Sequence, residues 1–286
     1  MEIEETLWKE HNGYWVGNES KRLGVLLSAG IHPREESWIY TLNEMLIDNT
    51  FLNSHTGLKY KVVPCRNERG FRFLEFVNER KIKQVFTDKT LCAFNDEEEY
   101  FFLLKDENLN ERYLLERIIQ ILNEEKYEGL FGVLTKTENS NIVCNSYLYF
   151  EGKIVDFNSY CREIDKYTMY SRNQMLNNSE IIWIDFHESI GYETFVYVDK
   201  QDELAYSIAR EYVSFCKKNC IQIRNQAVDR MMIEEGIFDI SFMKNRYKRD
   251  CQELIIETGI DNKWSEKIGI NKLLINYLAD VLEKIL

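Results

Sequence analysis

Proline is nearly missing from this sequence: two residues in 286, beside thirteen glycines. That scarcity excludes collagen-like and Pro/Gly-rich disordered chains, and no segment reads as low-complexity or as a linker. No internal repeat occurs at solenoid or propeller spacing. Long apolar runs are also lacking. Nothing approaches the roughly 20 consecutive apolar residues that span a bilayer, so no membrane association is expected. The acidic start, MEIEETLWKEHNGYW, has neither the basic region nor the apolar core of a secretory signal, which points to a cytoplasmic protein. Positive charge is in deficit, 36 Lys and Arg against 48 Asp and Glu, for a net charge of −12. Such a field repels polyanions, so nucleic acid is not an expected partner. The seven cysteines are an odd number and form no CxxC pair, which favours free thiols over a disulfide framework or a thiolate metal site.

What is present is an ordinary globular composition, 44% hydrophobic and 29% charged, on a chain long enough for a sizeable core. Short apolar runs at Leu23–Ala29, Tyr60–Val63, Ile181–Phe186, Thr194–Val198 and Leu254–Ile256 predict buried strands. Helical spacing follows Pro33 (Trp38, Ile39, Leu42, Met45, Leu46) and recurs over Asp202–Lys218 and Ser265–Leu286. Strands alternating with helices predict an α/β fold with a mostly parallel sheet covered on both faces. The stretch Phe73–Glu138 carries no clear pattern, and its acidic run Asp96-Glu97-Glu98-Glu99 reads as a solvated loop or helix end. No composition shift marks a boundary, so residues 1–286 are expected to form a single catalytic domain.

The four histidines are informative because they are few. His32 and His187 each end an apolar run, and Glu257 ends a third. In open α/β sheets, ligands sit beyond the carboxyl ends of the strands, so these three groups are expected at one edge. Glu35 follows His32 by three residues as the chain turns into a helix, which sets both side chains on one side of that first turn. Glu36 is the alternative carboxylate, about 100° further round. Two histidines and one carboxylate make the donor set of a catalytic zinc site, with a fourth position open to water whose acidity the metal raises. Glu257 is then the candidate general base. Asp185, two residues before His187 on the same strand face, is a candidate to orient a neighbouring ligand. His11 and His55 lie in polar, turn-like surroundings and are given no role.

The segments Ala29-Gly30-Ile31-His32-Pro33-Arg34-Glu35, Ile184-Asp185-Phe186-His187-Glu188 and Ile255-Ile256-Glu257-Thr258-Gly259, in that order, resemble the zinc carboxypeptidase family. A fourth segment, Val63 to Phe71, looks like a degraded Asn-Pro-Asp-Gly element that keeps Asn67, Gly70 and Phe71. The resemblance implies a three-layer α/β/α sandwich with a mixed central sheet, the phosphorylase/hydrolase-like fold of that family. It also implies one Zn2+ per chain on His32, Glu35 and His187, and hydrolysis of a C-terminal peptide or amide bond with Glu257 as base. The family's Asp-Leu-Asn-Arg segment has no clear counterpart between residues 72 and 186. Arg66, Asn67, Arg69, Arg72 and the Arg172-Asn173 pair are the candidates to grip a substrate carboxylate, and Tyr197 or Tyr247 to cap it.

Two other functions remain open. Succinylglutamate desuccinylase and aspartoacylase share the HxxE, distant His and late Glu pattern, with a shorter interval between the histidines; the substrate would then be an N-acyl amino acid. A binding protein on the same fold is the third. Oligomeric state is not legible.

Overall fold

The computed structural model describes residues 14–17, 24–32, 35–47, 51, 54–55, 57–67, 91–96, 99–104, 111–136, 142–156, 180–189, 191–199, 202–231 and 252–286. Its two sheets belong to separate compact units.

The larger unit is built on a seven-stranded mixed sheet, and its central strands are the apolar runs of the sequence. β1 is Tyr14–Gly17, β2 Gly24–Ala29 and β3 Lys59–Val63. Later in the chain come β9 (Glu180–Ser189), β10 (Thr194–Asp199), β11 (Ile223–Met231) and β12 (Gln252–Gly259). The spatial order is β1-β3-β2-β9-β12-β10-β11. β3, β2, β9 and β12 run parallel, while β1 is antiparallel to β3 and β10 antiparallel to β12. β2 and β12 are buried on both faces, which the apolar runs Val25–Leu27 and Leu254–Ile256 within them reflect. β10 pairs parallel with β11, so most pairings are parallel, as strand–helix alternation predicts; the sheet is mixed because β1 runs antiparallel and the short connection of residues 190–193 returns β10 beside β12 without a crossover helix.

Among the described residues, three complete helices belong to this unit. α1 spans Glu36–Ile47 and buries Trp38, Ile39, Leu42 and Met45. The other two are α3 (Glu203–Lys218) and α4 (Trp264–Ile285). Trp38 stacks on Phe186 with ring centroids 4.0 Å apart, which seats α1 on β9. Phe215 of α3 stacks on Tyr277 of α4 at 3.8 Å. α1 begins at Glu36, so His32 and Glu35 both precede the helix and do not share its first turn. Pro33 and Arg34 lie outside the described residues.

The smaller unit has a five-stranded sheet of order β4-β5-β6-β7-β8. Its strands are β4 (Leu91–Asp96), β5 (Glu99–Leu104), β6 (Gly129–Lys136), β7 (Ile142–Phe150) and β8 (Lys153–Asp156). α2 (Glu111–Glu124) is the crossover between the parallel strands β5 and β6. Ile118 and Leu122 of α2 pack with Phe131, Val133 and Tyr149 into this unit's own core. Among the described residues, the middle of the chain therefore forms regular strands and a helix. Its acidic run starts at the end of β4 and finishes at the start of β5, with Asp96 and Glu99 paired in register. Glu151 and Gly152, at φ 49° and 74°, make the tight turn between β7 and β8.

Among the described residues, no helix is long and apolar enough to cross a membrane. Cys65, Cys216 and Cys220 are free thiols.

Candidate metal centre

Because β2, β9 and β12 are parallel, their carboxyl ends share one edge of the sheet. The chain leaves β2 through Gly30, whose φ of +67° lies in the left-handed region. A Cβ there would stand 2.6 Å from the Ile39 side chain and 3.3 Å from the Cα of Cys65, so only glycine fits this turn. His32 and Glu35 follow it directly.

His32, Glu35 and His187 each offer one donor atom, and the three atoms lie within 4.8 Å of one another. Nδ1 of His187 is 2.8 Å from Oε1 of Glu35. Zinc bonds of about 2.0–2.1 Å in a tetrahedral set hold neighbouring donors roughly 3.3 Å apart, between this 2.8 Å ion-pair contact and the 4.8 Å that bounds the set. All three residues are buried, His32 at 5% exposed and Glu35 at 0%. Glu36 is exposed, whereas Glu35 is buried with the two histidines.

The ring of His187 is held from behind. Its Nε2 lies 3.1 Å from Oδ2 of Asp185, the residue two positions back on the same strand face. Asp185 in turn accepts a 2.5 Å hydrogen bond from Oγ of Ser28, its register partner on β2, and a hydrogen bond from Nη1 of Arg66. Trp183 Nε1 donates to Oγ of Ser28 at 2.7 Å, and the Arg66 guanidinium lies 5.0 Å from the Trp183 ring centre. Burial by itself would raise the pKa of Asp185; the charges of Arg66 and His187 and the hydrogen bonds outweigh it and bring it down to about 2. Burial likewise disfavours the His187 imidazolium, yet Glu35 and Asp185, one at each ring nitrogen, hold its pKa well above the ordinary value.

Glu257 on β12 is the register partner of His187 on β9, so the two side chains leave the sheet on the same face at neighbouring positions. Glu257 is 6% exposed. Its carbonyl oxygen accepts a 2.6 Å hydrogen bond from Thr194 Oγ1, which itself lies 3.1 Å from the Tyr212 hydroxyl of α3. Just beyond, Gly259 passes so close to the next loop that a Cβ would stand 2.4 Å from the carbonyl carbon of Tyr192.

The residues expected to grip a substrate are distributed differently. Arg66 is 3% exposed and faces Asp185, and the Asn67 amide donates to the Ile31 carbonyl at 2.9 Å, bracing the backbone just before His32. Tyr197 is half-buried and pairs in register with Ile255, two residues deeper in the sheet than Glu257. The residue beside Glu257 on β10 is Phe195, whose ring meets Tyr197 edge-on at 5.2 Å. Arg69, Arg72, Arg172, Asn173 and Tyr247 lie outside the described residues, as does His11. His55 is buried, with Nε2 3.3 Å from Asn276 Oδ1, although its polar surroundings in the sequence suggest a surface turn. Sequence reasoning missed Ser28, Ser37, Glu188 and Phe195. Glu188 alone carried a signal, a carboxylate directly after an apolar run, since buried charge requires a partner.

No protein-family model matches this sequence, and no curated protein sequence does. Among solved structures, a candidate metallopeptidase from Shewanella amazonensis is similar at TM-score 0.47 and 15% identity, over 94% of this chain and 81% of that one. The product-bound cell shape determinant protein Csd4 of Helicobacter pylori is similar at TM-score 0.46 and 10% identity, over 94% and 54%. A metallo-carboxypeptidase from Pseudomonas aeruginosa, in complex with (2-guanidinoethylmercapto)succinic acid, is similar at TM-score 0.45 and 10% identity, over 96% and 61%.

Proposed function

We propose that this chain is a zinc-dependent hydrolase of the metallocarboxypeptidase type, acting on a C-terminal peptide or amide bond, with residues 1–286 forming one catalytic domain. The observation that supports it is a buried His-Glu-His donor set with a carboxylate, Glu257, beside one of its histidines. Surface acidic clusters do not have that construction.

His32, Glu35 and His187 would hold the cation. A nitrogen-rich set with a single carboxylate suits zinc better than calcium or magnesium, which prefer all-oxygen cages. When bound, zinc supplies Lewis acidity, which makes water more acidic and polarises a carbonyl group. The remaining work falls to the protein. Asp185 accepts a hydrogen bond from Nε2 of His187, which leaves Nδ1, on the Glu35 side, as the nitrogen that would hold the cation. Arg66 and Ser28 hold Asp185 ionised in its buried setting. Glu257 removes a proton from the attacking water and returns it to the departing amine. Phe195 lines the strand beside it and limits access of bulk water.

The test is metal content by mass spectrometry on protein purified without chelators, for wild type and His187→Ala. About one zinc per chain, lost in the variant, supports the site. Peptides with free and with amidated C-termini, and N-acyl amino acids, then separate the substrate classes. Cleavage that requires a free C-terminal carboxylate is expected. Turnover of N-acyl amino acids alone would reassign the enzyme as a deacylase, and no zinc uptake at all would leave a binding protein.

A further inference from the structure

The strand that carries His187 also reaches the opposite face of the sheet, and what it does there bears on the metal centre. Side chains alternate along β9, so Asp185 and His187 share one face while Phe186 and Glu188 share the other. The Glu188 carboxylate is fully buried. Its Oε1 accepts two hydrogen bonds from Ser37, from the backbone N–H at 2.9 Å and from the hydroxyl at 2.5 Å. Its Oε2 accepts from Nζ of Lys267, on α4, at 2.7 Å. The amide of Asn271, one turn further along α4, donates to the Ser37 hydroxyl at 3.0 Å. Ser37 and Asn271 are themselves fully buried.

Ser37 is the second residue of α1 and stands two positions after Glu35. The first N–H groups of a helix have no partner within it, and a carboxylate is the acceptor best matched to that positive end. Here the acceptor comes from a strand far away in sequence, and from the residue that adjoins His187. One carboxylate therefore spans the two segments that carry Glu35 and His187, the pair whose donor atoms lie 2.8 Å apart. On the next strand the same device recurs: Thr258, which follows Glu257, accepts from Trp38 Nε1 at 2.9 Å, and Trp38 follows Ser37.

We infer that Glu188 is a positioning residue for the metal centre, fixing the start of α1 against β9 so that Glu35 and His187 are held at the spacing one cation requires. This rests on the zinc-site proposal above. Lys267 balances the buried charge, and Asn271 holds the Ser37 hydroxyl in the orientation that donates to Glu188.

The experiment measures zinc affinity by competition with a chromogenic chelator, on full-length wild type and Glu188→Gln, together with thermal unfolding of both proteins without metal. Glu188→Gln is expected to bind zinc about 10- to 100-fold more weakly. Its cobalt(II) complex should show a shifted d–d absorption, because the ligand arrangement changes. A Glu188→Gln protein that melts lower without metal yet binds zinc within twofold of wild type, with an unshifted cobalt spectrum, would overturn the inference and leave Glu188 a fold-supporting group. If Glu188→Gln does not fold, Ser37→Ala serves instead, since it keeps the helix N–H on Glu188 and loses only the hydroxyl. A severalfold loss of affinity is then expected, and unchanged affinity overturns the inference. Wild type that takes up no zinc overturns the site proposal itself, a different result from equal binding by wild type and variant.

Discussion

Glu257 and His187 stand side by side, in register, on the parallel strands β12 and β9. Adjacent strands lie about 4.8 Å apart, so a carboxylate suited to proton transfer is held one strand spacing from a candidate metal ligand, on the same face. Neither residue needs a loop to be positioned. Both belong to strands whose apolar residues form the core of the unit, which gives the pair a rigid base.

Glu257→Gln is expected to retain zinc at wild-type stoichiometry and to lose hydrolysis by on the order of 10²- to 10⁴-fold, the range for a positioned acid–base group. Metal analysis and peptide turnover on the same preparation check both halves. A variant that keeps its metal and more than a tenth of its activity would move the base to another residue.

Asp185→Asn removes the charge that faces both His187 and Arg66. The buried Arg66 guanidinium then loses the Asp185 charge, and a loss of stability is expected, up to about 3–5 kcal/mol. Zinc affinity should fall by about 10- to 100-fold with the loss of ring orientation. The acid side carries a second signature. With a native pKa near 2 against an ordinary 3.8, Asp185 stabilises the fold fully above about pH 4, and that contribution disappears as the pH falls toward 2. Urea midpoints at pH 2.5, 3.5 and 5 should therefore converge for the two proteins as the medium becomes more acidic.

On the alkaline side, the buried Cys216 thiol is pushed up from an ordinary 9.0 to about 12, chiefly by burial. Above pH 9 the unfolded chain releases this proton while the folded chain keeps it. The native state then binds more protons than the unfolded state, so stability falls as pH rises, by up to about 1.4 kcal/mol per unit until the folded thiol also ionises. Cys216→Ala should show a shallower decline in urea midpoint between pH 9 and 11. An identical decline would assign the slope to other groups, such as the buried Tyr212, whose pKa burial also raises.

Gly259→Ala forces a methyl group onto the backbone of Tyr192. That loop is tied to the end of β12 by Ile260 N–H to Ser189 O at 2.8 Å and Gly191 N–H to the Asp261 carboxylate at 2.9 Å, so it has little freedom to retreat. A loss of about 1–3 kcal/mol, measured by thermal unfolding, is expected. Gly191→Ala tests a different effect: nothing stands within 4 Å of the added carbon, and the cost arises from the φ of +105°.

The central strands and three helices of the larger unit were legible because their signals are local. Val25 to Leu27, Ile182 to Ile184 and Leu254 to Ile256 are apolar on both faces, the pattern that burial on both faces favours. The smaller unit was not. β4 to β8 include short apolar runs such as Tyr100–Leu104, but it is the pairing between separate segments that makes them one sheet, and no single window shows it. The start of α1 was misjudged for a related reason: Pro33 is a local signal for a helix start, but a helix begins where its first N–H groups find acceptors, and the acceptor for Ser37 is Glu188.

By itself, then, the sequence determined which segments are buried and singled out the candidates for chemistry: His32, Glu35, His187 and Glu257 each follow or end a run whose hydrophobicity can be read in place. Tertiary structure alone decided which groups serve which. Arg66 has the chemistry of a carboxylate grip, and only the pairing of β3 with β2 and of β2 with β9 brings it to Asp185. Glu188 adjoins a candidate ligand, and only the seating of α1 makes it a brace. The physical reason is range. Burial and periodicity are properties of a few consecutive residues, whereas the partner of a buried charge is chosen by strand register and helix packing, which join parts of the chain far apart in sequence.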